Sequence, residues 1–257
     1  MSIYQAIISG IVQGVTEFFP ISSSGHLVIL HEIFGLKETQ VAFDVFLHLG
    51  TILAVAIFFW KDILELFVKN RRLLWIILVG SIPAFLIGIL FKDRIEELFG
   101  APRVVGYMLI VTGVWIGAGS IAVFLRKKAA MPAARTGFFN AVIIGIAQGI
   151  AIMPGISRSG STISTGLILG LEPEAAARFS FLLSIPAVLG ACVLKAAKIG
   201  SGIFGPESLY YILGALAAFA AGLVAIKTLL QLITRRLFFI FAVYCVAAGM
   251  VVLFFLR

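Results

Sequence analysis

Charge is scarce in this sequence. Of 257 residues only 12% are Asp, Glu, Lys or Arg, with three histidines and two cysteines. Each shortage excludes something. Cys192 and Cys245 have neither ligand nor bridge spacing and are expected to be packing or lipid-facing residues. Met1-Ser2-Ile3-Tyr4 carries no basic cluster and its apolar run leads straight into polar residues, so a cleaved signal peptide is not expected. A chain with 61% hydrophobic residues and a mean hydropathy of +1.13 lies far outside the soluble range. What fills the chain is apolar runs: Val41–Trp60, Leu73–Phe91, Val104–Leu125, Phe179–Leu194, Ser208–Ile226 and Leu237–Leu256. Most approach the roughly 20 residues that a hydrocarbon core of about 30 Å requires. The fold class expected is an all-α integral membrane protein in a lipid bilayer.

The formal net charge of +8 points to topology once the charges are located. Lys61, Lys69, Arg71 and Arg72 share one loop, Arg126, Lys127, Lys128 and Arg135 a second, and Lys227, Arg235 and Arg236 a third. Between them, Lys92, Arg94 and Arg103 are balanced by Asp93, Glu96 and Glu97, and Lys195 and Lys198 lie near Glu207. Basic loops alternating with balanced ones form the positive-inside pattern and give no support to a nucleic-acid partner. Six spanning helices then connect the loops, with both termini outside. The chain from Ile3 to Gln40 must begin and end outside, and that from Gly137 to Glu174 must begin and end inside. Each is expected to be a re-entrant helical hairpin, broken at Pro20-Ile21-Ser22 and at Pro154-Gly155-Ile156. The second arms, Ser24–Phe34 and Thr162–Leu171, are too short to cross. Broken backbone at that depth must be buried in protein or line a wet cavity, so the two breaks should meet near the midplane.

Those hairpins carry a duplicated polar string. Gln13-Gly14 and Ser22-Ser23-Ser24-Gly25 fall on Gln148-Gly149 and Ser157-Arg158-Ser159-Gly160, 135 positions later, with nine residues from each Gln to its first Ser. Ala84-Phe85 followed by Gly88 matches Ala218-Phe219 followed by Gly222 at an offset of 134. The chain is therefore expected to be one membrane domain of two halves, approximately 1–125 and 136–257. Each half holds one hairpin and three spans, and the odd count gives an inverted-topology repeat.

A helix starting after a Ser-rich break offers free backbone N–H groups and the positive end of its dipole. Two opposed starts, with hydroxyls and one guanidinium, suit an anion. Arg158 can fork onto phosphate oxygens as Lys cannot. Gln13, Ser22, Ser24, Gln148, Ser157, Ser159 and Gly160 are the candidate substrate contacts, although Ser22, Ser24 and Ser159 suit helix packing equally well. With Glu17 and His26 nearby, the set points to phosphoryl transfer or hydrolysis. His31 and His48 are expected to be structural, Asp44 and Arg178 interfacial, and the Phe-rich faces lipid-facing. The alternative from another class is a transporter or flippase of a lipid phosphate or small anion, whose inverted repeats use the same opposed helix ends.

At these residues the chain resembles a known family. Gln13-Gly-Val-Thr-Glu17 fits E/Q-x-x-x-E, Pro154-Gly-Ile-Ser-Arg-Ser-Gly160 fits P-G-x-S-R-S-G, and Pro-x-Ser-Ser-x-Gly-His stands at 20–26. In this order they are similar to the signature strings of undecaprenyl pyrophosphate phosphatases, the bacitracin-resistance family, and the resemblance extends over essentially the whole chain. It implies a bacterial inner-membrane enzyme that removes the terminal phosphate of a polyprenyl pyrophosphate lipid and recycles the carrier for peptidoglycan synthesis. It also implies bacitracin resistance, divalent-metal dependence and a site open to the outer face. By position, Glu17 is the essential motif carboxylate, Ser23 and His26 are the catalytic Ser and His, and Ser157, Arg158 and Thr162 fall at phosphate-binding positions. On that resemblance Ser23 is a candidate nucleophile with His26 as its acid or base, and direct attack by water explains the same residues. Glu17 is then either a general base or the ligand of a divalent metal, Mg²⁺ or Ca²⁺. Gln13 stands where many members carry Glu, one carboxylate fewer. A homodimer is left open.

Overall fold

A computed structural model describes residues 1–35, 41–99, 102–126, 130–131, 136–199 and 207–255. Lys127, Lys128 and Arg135 of the second basic loop, and the last two residues of the expected second half, 256–257, lie outside the described residues. Among the described residues every regular element is a helix: α1 Ile3–Phe18, α2 Ser23–Ile33, α3 Val41–Phe58, α4 Trp60–Val68, α5 Arg71–Leu90, α6 Lys92–Phe99, α7 Pro102–Leu125, α8 Phe138–Ile150, α9 Arg158–Ile168, α10 Pro173–Ile199, α11 Ser208–Thr234 and α12 Ile240–Phe255. Five of these, α3, α5, α7, α10 and α11, are long and apolar enough to cross a membrane. The sixth expected span is present as α12, but only 16 residues long. This is an integral membrane protein of the all-α class.

The two broken hairpins are present with shifted bounds. The first breaks between Phe18 and Ser23, as the Pro20 ring dictates. The second breaks between Ile150 and Arg158, so its second arm starts at Arg158 rather than Thr162. Capping explains the shift, because the Ser157 side chain accepts from the Gly160 N–H at 3.0 Å and starts the helix four residues early. Two short helices were absent from the loop reading. α4 and α6 occupy stretches assigned to loops by their charges, yet α4 keeps Trp60, Leu64, Phe67 and Val68 more than half exposed beside Lys61 and Lys69. That mixture suits a helix lying along a bilayer surface.

Packing crosses between the sequence halves. The first helix of each hairpin lies against a long helix from the other half, α1 on α11 and α8 on α5. Small residues permit both approaches. A Cβ on Gly10 or Gly14 would strike the backbone oxygen of Gly214 or Ala218, and one on Gly145 would strike that of Gly80. These contacts recur at nearly the same offset as the polar strings, which is why Gly-Gly and Gly-Ala pairs sit at equivalent crossings. α7 pairs with α12, and α3 and α10 close the bundle behind the hairpins. Phe18 and Phe181 meet edge to face at 5.5 Å in the main core beside Phe59. The opposite surface is apolar, with Phe124, Phe139 and Phe254 largely exposed, as lipid-facing residues are.

Helix α9 ends where its hydrogen bonds need an outside donor. The Arg126 guanidinium donates to the carbonyls of Leu167 and Leu171, so a cation sits at the negative end of the helix that starts at Arg158.

Substituting Gly145 by Val should separate α8 from α5. Thermal unfolding of the purified protein in detergent should show a loss of about 1–3 kcal/mol or more. Gly117→Ala, whose new Cβ would meet no atom within 4 Å, should leave the midpoint unchanged or slightly raised.

Candidate active site

Gln13 and Glu17 are one helical turn apart and so share a face of α1. That face meets the starts of both hairpin arms. Glu17, 7% exposed, receives four groups. Its Oε1 accepts from Arg158 Nη2 at 2.8 Å, and its Oε2 accepts from Ser23 Oγ at 2.6 Å and from Gln13 Nε2 at 3.1 Å. His48 Nδ1 stands 3.9 Å from Oε2. Ser23 and Arg158 are the first helical residues of α2 and α9 and occupy equivalent places in the duplicated string. Two related helix starts therefore converge on one carboxylate.

The breaks are locked together behind this cluster. Thr112 Oγ1 donates to the Gly155 carbonyl and accepts from the Ser157 N–H, both at 3.0 Å. Ser159 Oγ donates to the Phe19 carbonyl at 3.3 Å, and Cys245 Sγ to that of Pro20 at 3.4 Å. Gly155 adopts a φ of +93°, and a Cβ there would stand 2.6 Å from the Val105 carbonyl, so only Gly fits. Ser22 holds a positive φ of 68° with no such licence. Two bonds fix it there: its Oγ accepts from the Gly25 N–H at 3.3 Å, and its carbonyl accepts from His26 Nδ1 at 2.8 Å. Strain of this kind persists only where the surroundings over-determine it, and here it aims the start of α2.

The expected site residues thus divide. Gln13, Glu17, Ser23 and Arg158 meet directly. Ser22 and Ser157 are helix caps, and Ser24 and Ser159 bond back to them at 3.4 and 3.3 Å. Gly160 supplies its N–H to the Ser157 cap and packs near Pro20. Thr162 is almost fully buried and bonds Ser180 Oγ at 2.6 Å. Gln148 is buried with neither amide atom bonded. His26 bonds neither Ser23 nor Glu17. With Nδ1 donating to the Ser22 carbonyl, its Nε2 accepts from the Tyr244 hydroxyl at 2.7 Å, the two rings stacked 5.8 Å apart.

His48, expected to be structural, lies closer to the site than the sequence indicated. Its Nδ1 lies 3.0 Å from Gln13 Nε2, inside the cluster. Thr112, Ser180 and Tyr244 were also missed. The spacing of Asp44 and His48, one turn apart on the same face of α3, is the signal in the sequence that could have found His48. The interfacial reading of Arg178 fits its exposed pairing with Glu174 at 2.9 Å and Asp62 at 3.2 Å.

Among the described residues, no three His, Cys, Asp or Glu side chains gather as a metal site. The oxygen donors at hand are the Glu17 carboxylate, Ser23 Oγ and Gln13 Oε1, which is buried without a partner, while His48 Nδ1 is engaged by the Gln13 amide. Such a set fits Mg²⁺ or Ca²⁺ only with substrate oxygens completing the shell. Arg158 Nη1 is likewise buried and unpartnered, a charged donor free for an anion.

Replacing Ser157 by Ala removes the α9 cap and the anchor of Ser159. A loss of about 1 kcal/mol is expected in thermal unfolding.

Sequence comparison agrees with this geometry. A family model described as "Bacitracin resistance protein BacA" matches residues 6–251. Proteins named undecaprenyl-diphosphatase are similar over nearly their full length. That of Halothermothrix orenii is 43% identical over 258 residues, covering 98% of each chain. That of Carboxydothermus hydrogenoformans is 42% identical over 259 residues, covering 98% of this chain and 97% of its own. That of Moorella thermoacetica is 40% identical over 268 residues and covers the whole of both. With its hairpins, its paired motif strings and a match spanning nearly every residue, the chain belongs to the bacitracin resistance protein BacA family.

Proposed function

We propose that this protein hydrolyses undecaprenyl pyrophosphate to undecaprenyl phosphate and inorganic phosphate, recycling the lipid carrier for peptidoglycan synthesis and conferring resistance to bacitracin. The observation that carries the reading is the array Ser23–Glu17–Arg158, a hydroxyl bonded at 2.6 Å to a carboxylate whose other oxygen faces a guanidinium. A transporter needs an anion site, but it has no use for a hydroxyl hydrogen-bonded to a base. The relatives' names agree with this choice.

In this reading the terminal phosphate meets the free Nη1 of Arg158 and the N–H groups at the starts of α2 and α9. Ser23 Oγ attacks the terminal phosphorus while its proton passes to Glu17 Oε2. The Oγ–P bond forms as the bridging P–O bond breaks, and undecaprenyl phosphate leaves. Glu17 gives that proton up to solvent as undecaprenyl phosphate departs, and the carboxylate so restored takes a proton from the water that attacks the Ser23-bound phosphorus; that proton returns to Ser23 Oγ as the Oγ–P bond breaks and inorganic phosphate leaves. Arg158 neutralises charge on the transferred oxygens in both steps. Glu17 and Gln13 Oε1 would hold a divalent cation, whose contribution when bound is to neutralise and orient the phosphate oxygens. His26 steadies the Ser22 turn under Ser23 and reaches the site through that turn.

The loop charges support an inner-membrane location with both termini and the active site on the outer face. The crossed packing of α1 on α11 and α8 on α5 supports two inverted halves of about 1–125 and 136–257 within one domain.

The experiment is phosphate release from undecaprenyl pyrophosphate by protein in detergent, with Mg²⁺ or Ca²⁺ and after chelation. Wild type should release phosphate and lose it on chelation. Glu17→Gln and Arg158→Lys should each lower kcat by roughly 100-fold or more. Absence of release by folded wild type with either cation would overturn the reading.

A further inference from the structure

Of the three histidines, the one that reaches the carboxylate cluster is His48. Its contact is indirect. At 3.9 Å from Oε2 it is too far for a good hydrogen bond to Glu17, whereas Gln13 Nε2 lies 3.0 Å from its Nδ1. Gln13 Nε2 carries two hydrogens, and each has one acceptor, Glu17 Oε2 and His48 Nδ1. The amide cannot be turned over at no cost, because its Oε1 would then face the carboxylate as a second acceptor. His48 must therefore offer an unprotonated Nδ1.

We propose that His48 is a positioning residue that acts through Gln13 to hold Glu17 Oε2 on the Ser23 hydroxyl; this rests on the reading of Glu17 as base for Ser23. Arg158 fixes one carboxylate oxygen, which leaves the plane of the group free to turn about that contact. Gln13 fixes the second oxygen only while its own amide is fixed. The amide's Oε1 bonds no protein atom, so among the protein's own groups the second anchor is His48. Remove that acceptor and the Nε2 end of the amide loses its fixed direction. Oε2 then loses a donor, and the 2.6 Å contact to Ser23 loses its fixed direction. An amide does this where a carboxylate would not. Gln13 can donate to Glu17 and His48 together, while Glu at that position could donate to neither without a proton.

The requirement is for an acceptor at one place, which gives the test its sign. Asn at position 48 puts Oδ1 near the place of Nδ1, and Leu puts nothing there. Steady-state phosphate release from undecaprenyl pyrophosphate by detergent-purified protein is compared for wild type, His48→Leu, His48→Asn, Gln13→Ala and the double variant Gln13→Ala/His48→Leu. His48→Leu should lower kcat by roughly tenfold or more with KM within about twofold, since the loss concerns alignment rather than binding. His48→Asn should recover to within about threefold of wild type. The double variant should be no slower than the slower single variant, because His48 acts only through Gln13. Multiplying effects in the double variant, or an Asn variant no faster than Leu, would overturn the proposal. If His48→Leu does not fold, His48→Gln makes the same comparison, because its longer arm carries the polar end past the Nδ1 place. Wild-type protein that releases no phosphate removes the base reading itself; active wild type with an unresponsive series removes only the role of His48.

Discussion

The contact on which the rest depends is the ion pair between Glu17 and Arg158. It joins the first hairpin to the second, buried at 7% and 15% side-chain exposure. A buried carboxylate left alone costs several kcal/mol, and so does a lone guanidinium; removing one partner of such a pair commonly costs about 3–5 kcal/mol. Neither break can retreat from the other without exposing that cost. The surrounding bonds make the same demand in smaller amounts: Thr112 holding Gly155 and Ser157, Ser159 on Phe19, Cys245 on Pro20. Irregular backbone in a membrane interior must find its partners inside the protein, and here the partners of each break are largely in the other half or in α7 and α12.

The pair also sets the charge available to a ligand. Glu17 and Arg158 cancel, so the resting cluster is close to neutral, and Gln13 adds none. A pyrophosphate brings more negative charge than Arg158 alone can answer. Two helix starts add roughly half a positive charge each, and Arg126 at the far end of α9 leaves the positive end of that helix unopposed. In the proposed reading what is still missing is about the charge of a divalent cation, and among the described residues the unbonded Gln13 Oε1 beside Glu17 is where oxygen donors remain. A second carboxylate at position 13 would raise affinity for a cation and oppose the phosphate in the same measure. An amide avoids that opposition and ties itself to His48.

Much of this was legible in the chain. The apolar runs located α3, α5, α7, α10 and α11, because length and composition alone decide a spanning helix. The repeated Gln-Gly and Ser-x-Ser-Gly strings located both breaks, since Pro, Gly and Ser clusters have few other uses inside apolar sequence. Glu17, Ser23 and Arg158 followed from their cost in hydrocarbon. The start of α9 did not, because Ser157 acts as a cap only once its hydroxyl finds the Gly160 N–H. α4 and α6 were hidden by their charges, which mark a surface without saying that it is helical. His48 and Tyr244 were out of reach for a different reason. Each is tied to its partner across 35 or 218 positions, and no periodicity within one helix reports a hydrogen bond to another.

The two polar strings align at an offset of 135 positions, yet the site built on them is lopsided while the helix packing around it is even. The equivalent of Ser23 is Arg158, that of Glu17 is Ile152, and that of His26 is Ser161. Polar roles were therefore not copied. What recurs is the steric part: Gly10 and Gly14 against α11, Gly145 and Gly149 against α5, Ser22 and Ser157 as caps. Close helix crossings tolerate no side chain, so these positions are constrained in both halves by the same repulsion. The positions beside the caps face the shared space between hairpins, where one carboxylate needs one guanidinium and one hydroxyl. A second copy of each would set Arg against Arg and Glu against Glu across the same few ångströms. Like charges so close in a poorly solvated space repel strongly. Packing thus preserves the likeness of the halves, while electrostatics at their meeting point requires them to differ.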